Sequence, residues 1–365
     1  MKKILIFLLF FGNFLMAQEK LHTTNSFDTN FFYGYILEHS PEISHLITGH
    51  PEGIILSWNR ETYGFNEWES RFNYPDFGVS FAYQDMKNRY LGEHYGIYAH
   101  MNFYFLKRHL MFRMGTGISY NTNPYDPNEN YFNNAYGSHL LNSTYFMLNF
   151  KKEKIIGPLG IQFGIDFIHY SNADLKVPNT STNTISANFG LNYQMDSENE
   201  PEYHPIAERT KYSEPLHVNF VLRSGVNNMD VIGTPAYPFF TASIYADKRI
   251  SHISTFQLGT EIFLSKALEE FIHYDAVAFP QAGTKGDEDA KRVGGFLGHQ
   301  LTFNQFSVIT HLGYYLYYPF ERYVERVYNR VGLQYDFYNR FFASVSLRSH
   351  AANAEALEFS IGFRL

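Results

Sequence analysis

Long segments of this chain alternate between apolar and polar residues, and few folds use that pattern at that length. At the C-terminus Leu357, Phe359, Ile361, Phe363 and Leu365 alternate with Glu358, Ser360, Gly362 and Arg364. Phe341, Ala343, Val345 and Leu347 stand against Ser344, Ser346 and Arg348, and Val331, Leu333, Tyr335 and Phe337 against Arg330, Gly332, Gln334 and Asp336. The same pattern recurs upstream, as in Leu216, Val218, Phe220 and Leu222, and in Ile97, Ala99, Met101, Phe103 and Phe105. Successive side chains of a strand point to opposite faces, so each segment has one apolar and one polar face. Strands of soluble sandwiches run to about 5–6 residues, whereas a tilted strand crossing a bilayer needs about 9–11. Only a closed barrel satisfies every backbone group in lipid. Phe 36 and Tyr 29 supply aromatics for girdles at both membrane interfaces. The pattern predicts an all-β fold: a transmembrane, antiparallel, up-and-down β-barrel of the outer-membrane type.

Lys2 and Lys3, the apolar run Ile4 to Phe11 and the Leu15-Met16-Ala17 triplet have the three-part form of an export signal over residues 1–17. This leaves 18–365 as a single barrel. The chain has no cysteine, which excludes a disulfide scaffold and cysteine-ligated metal or cluster sites. A net charge of −7 argues against a nucleic-acid partner. Mean hydropathy is −0.29, and no apolar run near 18 residues follows the N-terminus, so a multi-helix membrane protein is excluded. The histidines number 16 but show no tight ligand spacing, and no glycine-rich loop leads from a strand into a helix. Neither a metal nor another cofactor is expected.

Sixteen segments between residues 31 and 365 qualify as strands. Some early ones can be periplasmic or irregular, so about 14 spanning strands are expected, within roughly 12–16. Counting back from Leu365 puts short links at Tyr338-Asn339, Gln305, Ala246 to Ile253, Lys107-Arg108 and Lys151 to Lys154 on the periplasmic side. Longer links at 122–136, 172–182, 227–236 and 266–292 fall outside, the last with a short helix over Lys266 to His273. Asp196 to Pro215 breaks the rule as a long periplasmic link. Inward His100, Arg113, His139, His217, Arg223, Glu261 and His311 are placed in the lumen, either as a polar network or as a transport path.

The site candidate is His169-Tyr170-Ser171-Asn172. Ile161, Phe163, Ile165 and Phe167 form the lipid-facing row of their strand, and His169 and Ser171 continue it at the extracellular end. Side chains two apart share a face. A nucleophile beside a base is the minimum for ester hydrolysis, and this location suits a substrate in the outer leaflet.

The stretch HYSNADLKVPNTSTN, His169 to Asn183, resembles the His-x-Ser-Asn…Pro-Asn signature of the PagL-type lipid A 3-O-deacylases, a family often labelled acyloxyacyl hydrolase. YGYILEHS (33–40), HLITGH (45–50), GTGISYNTNPYD (115–126) and NNAYGSHLLNS (133–143) add to a likeness that runs over 31–195. The resemblance implies an eight-stranded barrel with a Ser–His–Glu triad on its outer face, acting on lipid A of lipopolysaccharide. By position, Ser171 would be the nucleophile, His169 the general base and Asn172 a donor to the oxyanion. The family's acid, fourteen residues after the histidine, is here Asn183. If His169 and Asn183 face each other across a hairpin, both point outward as neighbours. The expected function is an outer-membrane esterase. A porin-like channel, and an inactive barrel that binds lipopolysaccharide, are the alternatives. The half of the chain from 215 onward has no part in the resemblance.

Overall fold

The computed structural model describes residues 24–195, 201–205, 212–338, 340–351 and 353–365. The export signal expected at 1–17 lies outside the described residues, as do parts of 196–215. The described chain forms two closed eight-stranded barrels rather than one barrel of about 14 strands. In the first, β1 (Asn25–Ile36), β2 (Glu52–Arg60), β3 (Asp76–Asp85), β4 (Glu93–Phe105), β5 (Leu110–Asn121), β6 (Leu140–Ile156), β7 (Leu159–Ser171) and β8 (Thr182–Gln194) pair in order. β8 returns to β1 from Ser26↔Gln194 to Ile36↔Thr184. In the second, β9 (Leu216–Asn227), β10 (Tyr237–Arg249), β11 (Ser254–Ser265), β12 (Arg292–Phe303), β13 (Phe306–Tyr317), β14 (Val327–Phe337), β15 (Phe341–His350) and β16 (Asn353–Arg364) do the same. Here β16 closes on β9 from Phe359↔Ser224 to Arg364↔Asn219.

The segment 196–215 therefore connects two barrels and is not a turn within one. Pro201, Pro205 and Pro215 lack the N–H that continued sheet pairing would need. Its described residues 201–205 lie against the end of the first barrel, where His204 N donates to Tyr63 O at 2.7 Å, while Glu214 N donates to Arg249 O of the second. At the same end, Phe72 of the first barrel stacks on Phe303 of the second, ring centres 4.2 Å apart. At the opposite end, Asn228 N of the second barrel donates to Asp174 O of the first at 3.0 Å.

The alternation sorts the side chains as expected. Phe163 and Ile165 of β7 are exposed on the outer face, while Gln162, Asp166, Ile168 and Tyr170 are buried inside. An eight-stranded barrel is about wide enough inside for its own side chains, and both lumens are filled by paired polar groups. Arg113 meets Asp28 at 2.6 Å and also donates to Ser57 and Asn59. In the second barrel Arg330 bridges Glu261 at 3.0 Å and Glu358 at 2.5 Å. Truncating one member would strand a buried charge, which is why such networks persist whatever they add to net stability. His100, Arg223, Glu261 and His311 are buried in these networks, so the lumen residues read as packing rather than a porin-like path. His139 departs from expectation: it lies at a loop end, stacked on the outward Tyr120.

Two further details differ from the sequence reading. Lys151 to Lys154 belong to β6, and the β6–β7 turn falls at Gly157-Pro158, where Gly157 takes a left-handed φ of 57°. The helix expected over Lys266 to His273 runs further, Lys266–Ala278, with the Ser265 side chain accepting from Leu268 N at its start.

Candidate functional site

β7 and β8 place the site. Their pairing runs through Phe167↔Ile185 and His169↔Asn183 to Tyr170↔Thr182. His169 and Asn183 are thus direct cross-strand neighbours on the outward face, and His169 Nδ1 lies 2.7 Å from Asn183 Oδ1. With the amide oxygen facing the ring, Nδ1 carries the proton and Nε2 is left with its lone pair, the state a general base requires. Asn183 is held from behind, where its backbone oxygen accepts from Leu37 N at 2.7 Å.

Ser171 is the last residue of β7. It pairs with Asn142 of β6 and has no partner on β8. It is only 2% exposed, and its Oγ has no hydrogen-bond partner. The Ser171–His169 hydrogen bond that the spacing allows is therefore not formed here. Catalytic hydrogen bonds often tighten only once substrate is bound. Asn172 is 1% exposed and ties the β7–β8 loop together. Its backbone N donates to Asn179 Oδ1 at 2.8 Å, and its Nδ2 donates to the carbonyls of Lys176 and Pro178. Both of its donor groups are engaged within the loop, while its Oδ1 has no partner.

Neighbouring loops enclose this corner. Thr180 N and Ser181 N donate to Asn134 O and Ala135 O, each at 3.2 Å, and Asn134 Nδ2 donates to Glu42 O at 2.7 Å. His39 lies 2.9 Å by its Nε2 from Thr180 O. This second imidazole at the rim was not singled out in the sequence, although it lies in YGYILEHS, one of the segments that carry the family resemblance.

Below His169 and Asn183 the outer face carries a shallow groove of about 380 Å³, lined by Tyr33, Tyr35, His50, Ile165, Ile185 and Ala187 among others. The register explains its shape. Ala187 sits between Ile165 and Tyr33, so a small side chain forms a low floor between taller walls. Ile185 and Ala187 follow Asn183 at two-residue steps, about 6.6–6.8 Å each along the strand.

The loop that holds Asn172 also touches the second barrel. Asp174 is partly buried against it, and that burial, reinforced by the charges of Asp230 and Glu355, pushes its carboxyl up to about 9 from an ordinary 3.8. A carboxyl raised on folding favours the folded contact fully below about pH 4, and the gain is lost as pH climbs through 9. The loop over 172–181 should therefore loosen between pH 7 and 10 in the parent, while Asp174→Asn stays protected. Hydrogen exchange of that loop at the two pH values measures this, and equal loosening in both proteins would contradict it.

Among the described residues no group of three or more His, Cys, Asp or Glu side chains is placed to hold a metal ion. Comparisons with known proteins divide the chain as the barrels do. The family described as "Lipid A 3-O-deacylase (PagL)" matches residues 52–192, from β2 to β8. "Acyloxyacyl hydrolase, C-terminal domain" matches 216–365, the whole of the second barrel. No curated protein matches the chain. Among solved structures, a doubly substituted mutant of the Rh. blastica porin aligns at 10% identity over 94% of this chain and 100% of that one, with a TM-score of 0.18. A triply substituted mutant of the same porin gives 9% identity, the same coverages and 0.19. Between them the two family matches take in nearly every described strand, and the chain belongs to the PagL lipid A 3-O-deacylase and acyloxyacyl hydrolase family of ester hydrolases.

Proposed function

We propose that the first barrel removes an acyl chain from lipid A in the outer leaflet of the outer membrane, with Ser171 as nucleophile and His169 as general base. The observation that carries this reading is the 2.7 Å pairing of His169 with Asn183 on the outward face, directly above the groove. A substrate dissolved in lipid reaches that face without entering the barrel.

In the proposed reaction Ser171 Oγ attacks the ester carbonyl carbon as its proton passes to His169 Nε2. Asn183 Oδ1 holds the imidazole by Nδ1–H. The oxyanion is taken by Asn172, whose amide exchanges its loop carbonyls for the developing charge; a donor so aimed is worth about 3–4 kcal/mol. Collapse expels the sugar hydroxyl, which takes the proton from His169. Water activated by the same base then releases the fatty acid from Ser171. The acyl chain lies in the groove over Ala187, where Tyr33, Tyr35 and Ile165 replace lipid contacts.

Orientation is tested first. A cysteine at Lys176, exposed in the β7–β8 loop, should react with a membrane-impermeant reagent on intact cells, while one at Tyr338, 86% exposed at the other end, should not. The chain has no cysteine of its own to confuse the result. Reversed labelling would remove the outer-leaflet substrate from the account. In cells, lipid A should be lighter by one acyl chain when the protein is made, and unchanged lipid A would return the barrel to a binding role.

A further inference from the structure

At the end of the first barrel opposite His169, the outward side chains change from apolar to basic within a single step. Phe105↔Leu110, Leu110↔Phe150 and Phe150↔Phe163 are successive cross-strand pairs, so one apolar row runs across β4, β5, β6 and β7. Two residues beyond Phe105 stands Lys107, and two beyond Phe150 stands Lys152, both exposed. They border a recess of about 240 Å³ lined by Lys107, Arg108, His109, Lys151, Lys152, Glu153 and Lys154. The recess exists because the β6–β7 hairpin extends past the β4–β5 turn, with an irregular register between Lys152 and Ile156.

Arg108 and Lys151 are held by carboxylates, Lys151 by Glu153 of the recess itself, and Lys154 is also engaged. Arg108 lies 3.1 Å from Asp76, and Lys151 lies 2.8 Å from Glu153. Lys107 and Lys152 stand outside those pairs, so the recess keeps an excess of positive charge. Of the corresponding turns of the second barrel, 304–305 contains neither lysine nor arginine and 338–340 carries Arg340 as its one cation. Charge at the lower edge of an apolar belt meets the phosphate layer of the inner leaflet, where an anionic surface attracts cations held near it.

We infer that this recess is a binding site for the head group of an anionic glycerophospholipid in the inner leaflet, its phosphate held by Lys107 and Lys152 and its acyl chains lying along Phe105, Leu110 and Phe150. The site uses none of the hydrolase chemistry, shares only the barrel orientation proposed above, and anchors the first barrel at a fixed depth.

The test is native mass spectrometry of the full chain released from nanodiscs of equimolar phosphatidylglycerol and phosphatidylethanolamine. The parent should retain phosphatidylglycerol about tenfold over phosphatidylethanolamine. Lys107→Asn with Lys152→Gln should abolish the preference; asparagine suits the left-handed φ of 56° at position 107. Loss of the preference in the parent at high salt is a second reading that needs no variant. Equal retention of the two lipids by the parent, or a preference the double variant keeps, overturns the proposal. Displacement of the lipid by millimolar inorganic phosphate or glycerol 3-phosphate would make this a phosphate site and overturn the lipid assignment.

Discussion

Ser171→Ala will release no measurable fatty acid from lipid A, a fall of at least about a thousandfold, while both barrels assemble as before. Removing the nucleophile of a serine hydrolase eliminates the covalent route and leaves only the modest acceleration supplied by binding and the oxyanion donor. The folding side of the result is just as definite. Ser171 Oγ is buried and bonds to nothing, so its loss orphans no neighbour. Deleting an unsatisfied buried hydroxyl is neutral or slightly stabilising. Resistance of the folded barrels to urea should therefore match or slightly exceed that of the parent. Retained hydrolysis in a folded variant would take the reaction away from Ser171.

The second large effect belongs to Asn183, an amide at the position where the resemblance implies a carboxylate. In a serine protease an aspartate-to-asparagine change lowers turnover by about 10⁴ because the imidazole is held in the wrong tautomer. The arrangement here avoids that fault, since the amide oxygen faces His169 Nδ1 at 2.7 Å and keeps the proton on that nitrogen. An amide still lacks the negative charge that stabilises an imidazolium. Asn183→Glu should raise turnover about tenfold or more, and Asn183→Ala should lower it by a similar factor by releasing the ring. The carboxylate would sit at a strand end near head groups, where the penalty for charge on the lipid face is about 0–1 kcal/mol. Side-by-side rates on purified lipid A decide the matter. An alanine variant as fast as the parent would mean that another group orients His169.

Much of this architecture was legible because alternation is a local property. Each of the sixteen segments proposed as strands overlaps a strand of the structure, and the helix after Ser265 begins where expected. Closure was not legible. Period two tells which face of a strand meets lipid, but not which strand its free edge finds, and β8 pairs as well in pattern with β9 as with β1. The clue was the long polar link at 196–215, too long for a turn on the short-turn side of a barrel and suited to joining two barrels. At the site, the His169–Asn183 contact followed from hairpin register alone. The engagement of both Asn172 donors did not, because it depends on how the β7–β8 loop folds back through Lys176, Pro178 and Asn179, and the same loop is tied to Asn134 and Ala135, which are distant in sequence. The groove was hidden for a similar reason. Its floor at Ala187 and its wall at Tyr33 lie on strands that meet only when the first barrel closes.

The central claim is that the outward face of the first barrel hydrolyses an ester of lipid A through Ser171. It is tested most directly by incubating purified lipid A with the purified parent protein and with Ser171→Ala, and weighing the lipid by mass spectrometry. The account predicts that the parent trims one acyl chain and liberates it as free fatty acid, while the Ser171→Ala protein leaves the lipid intact. Lipid A left whole by a folded parent, or trimmed equally by both proteins, would contradict it.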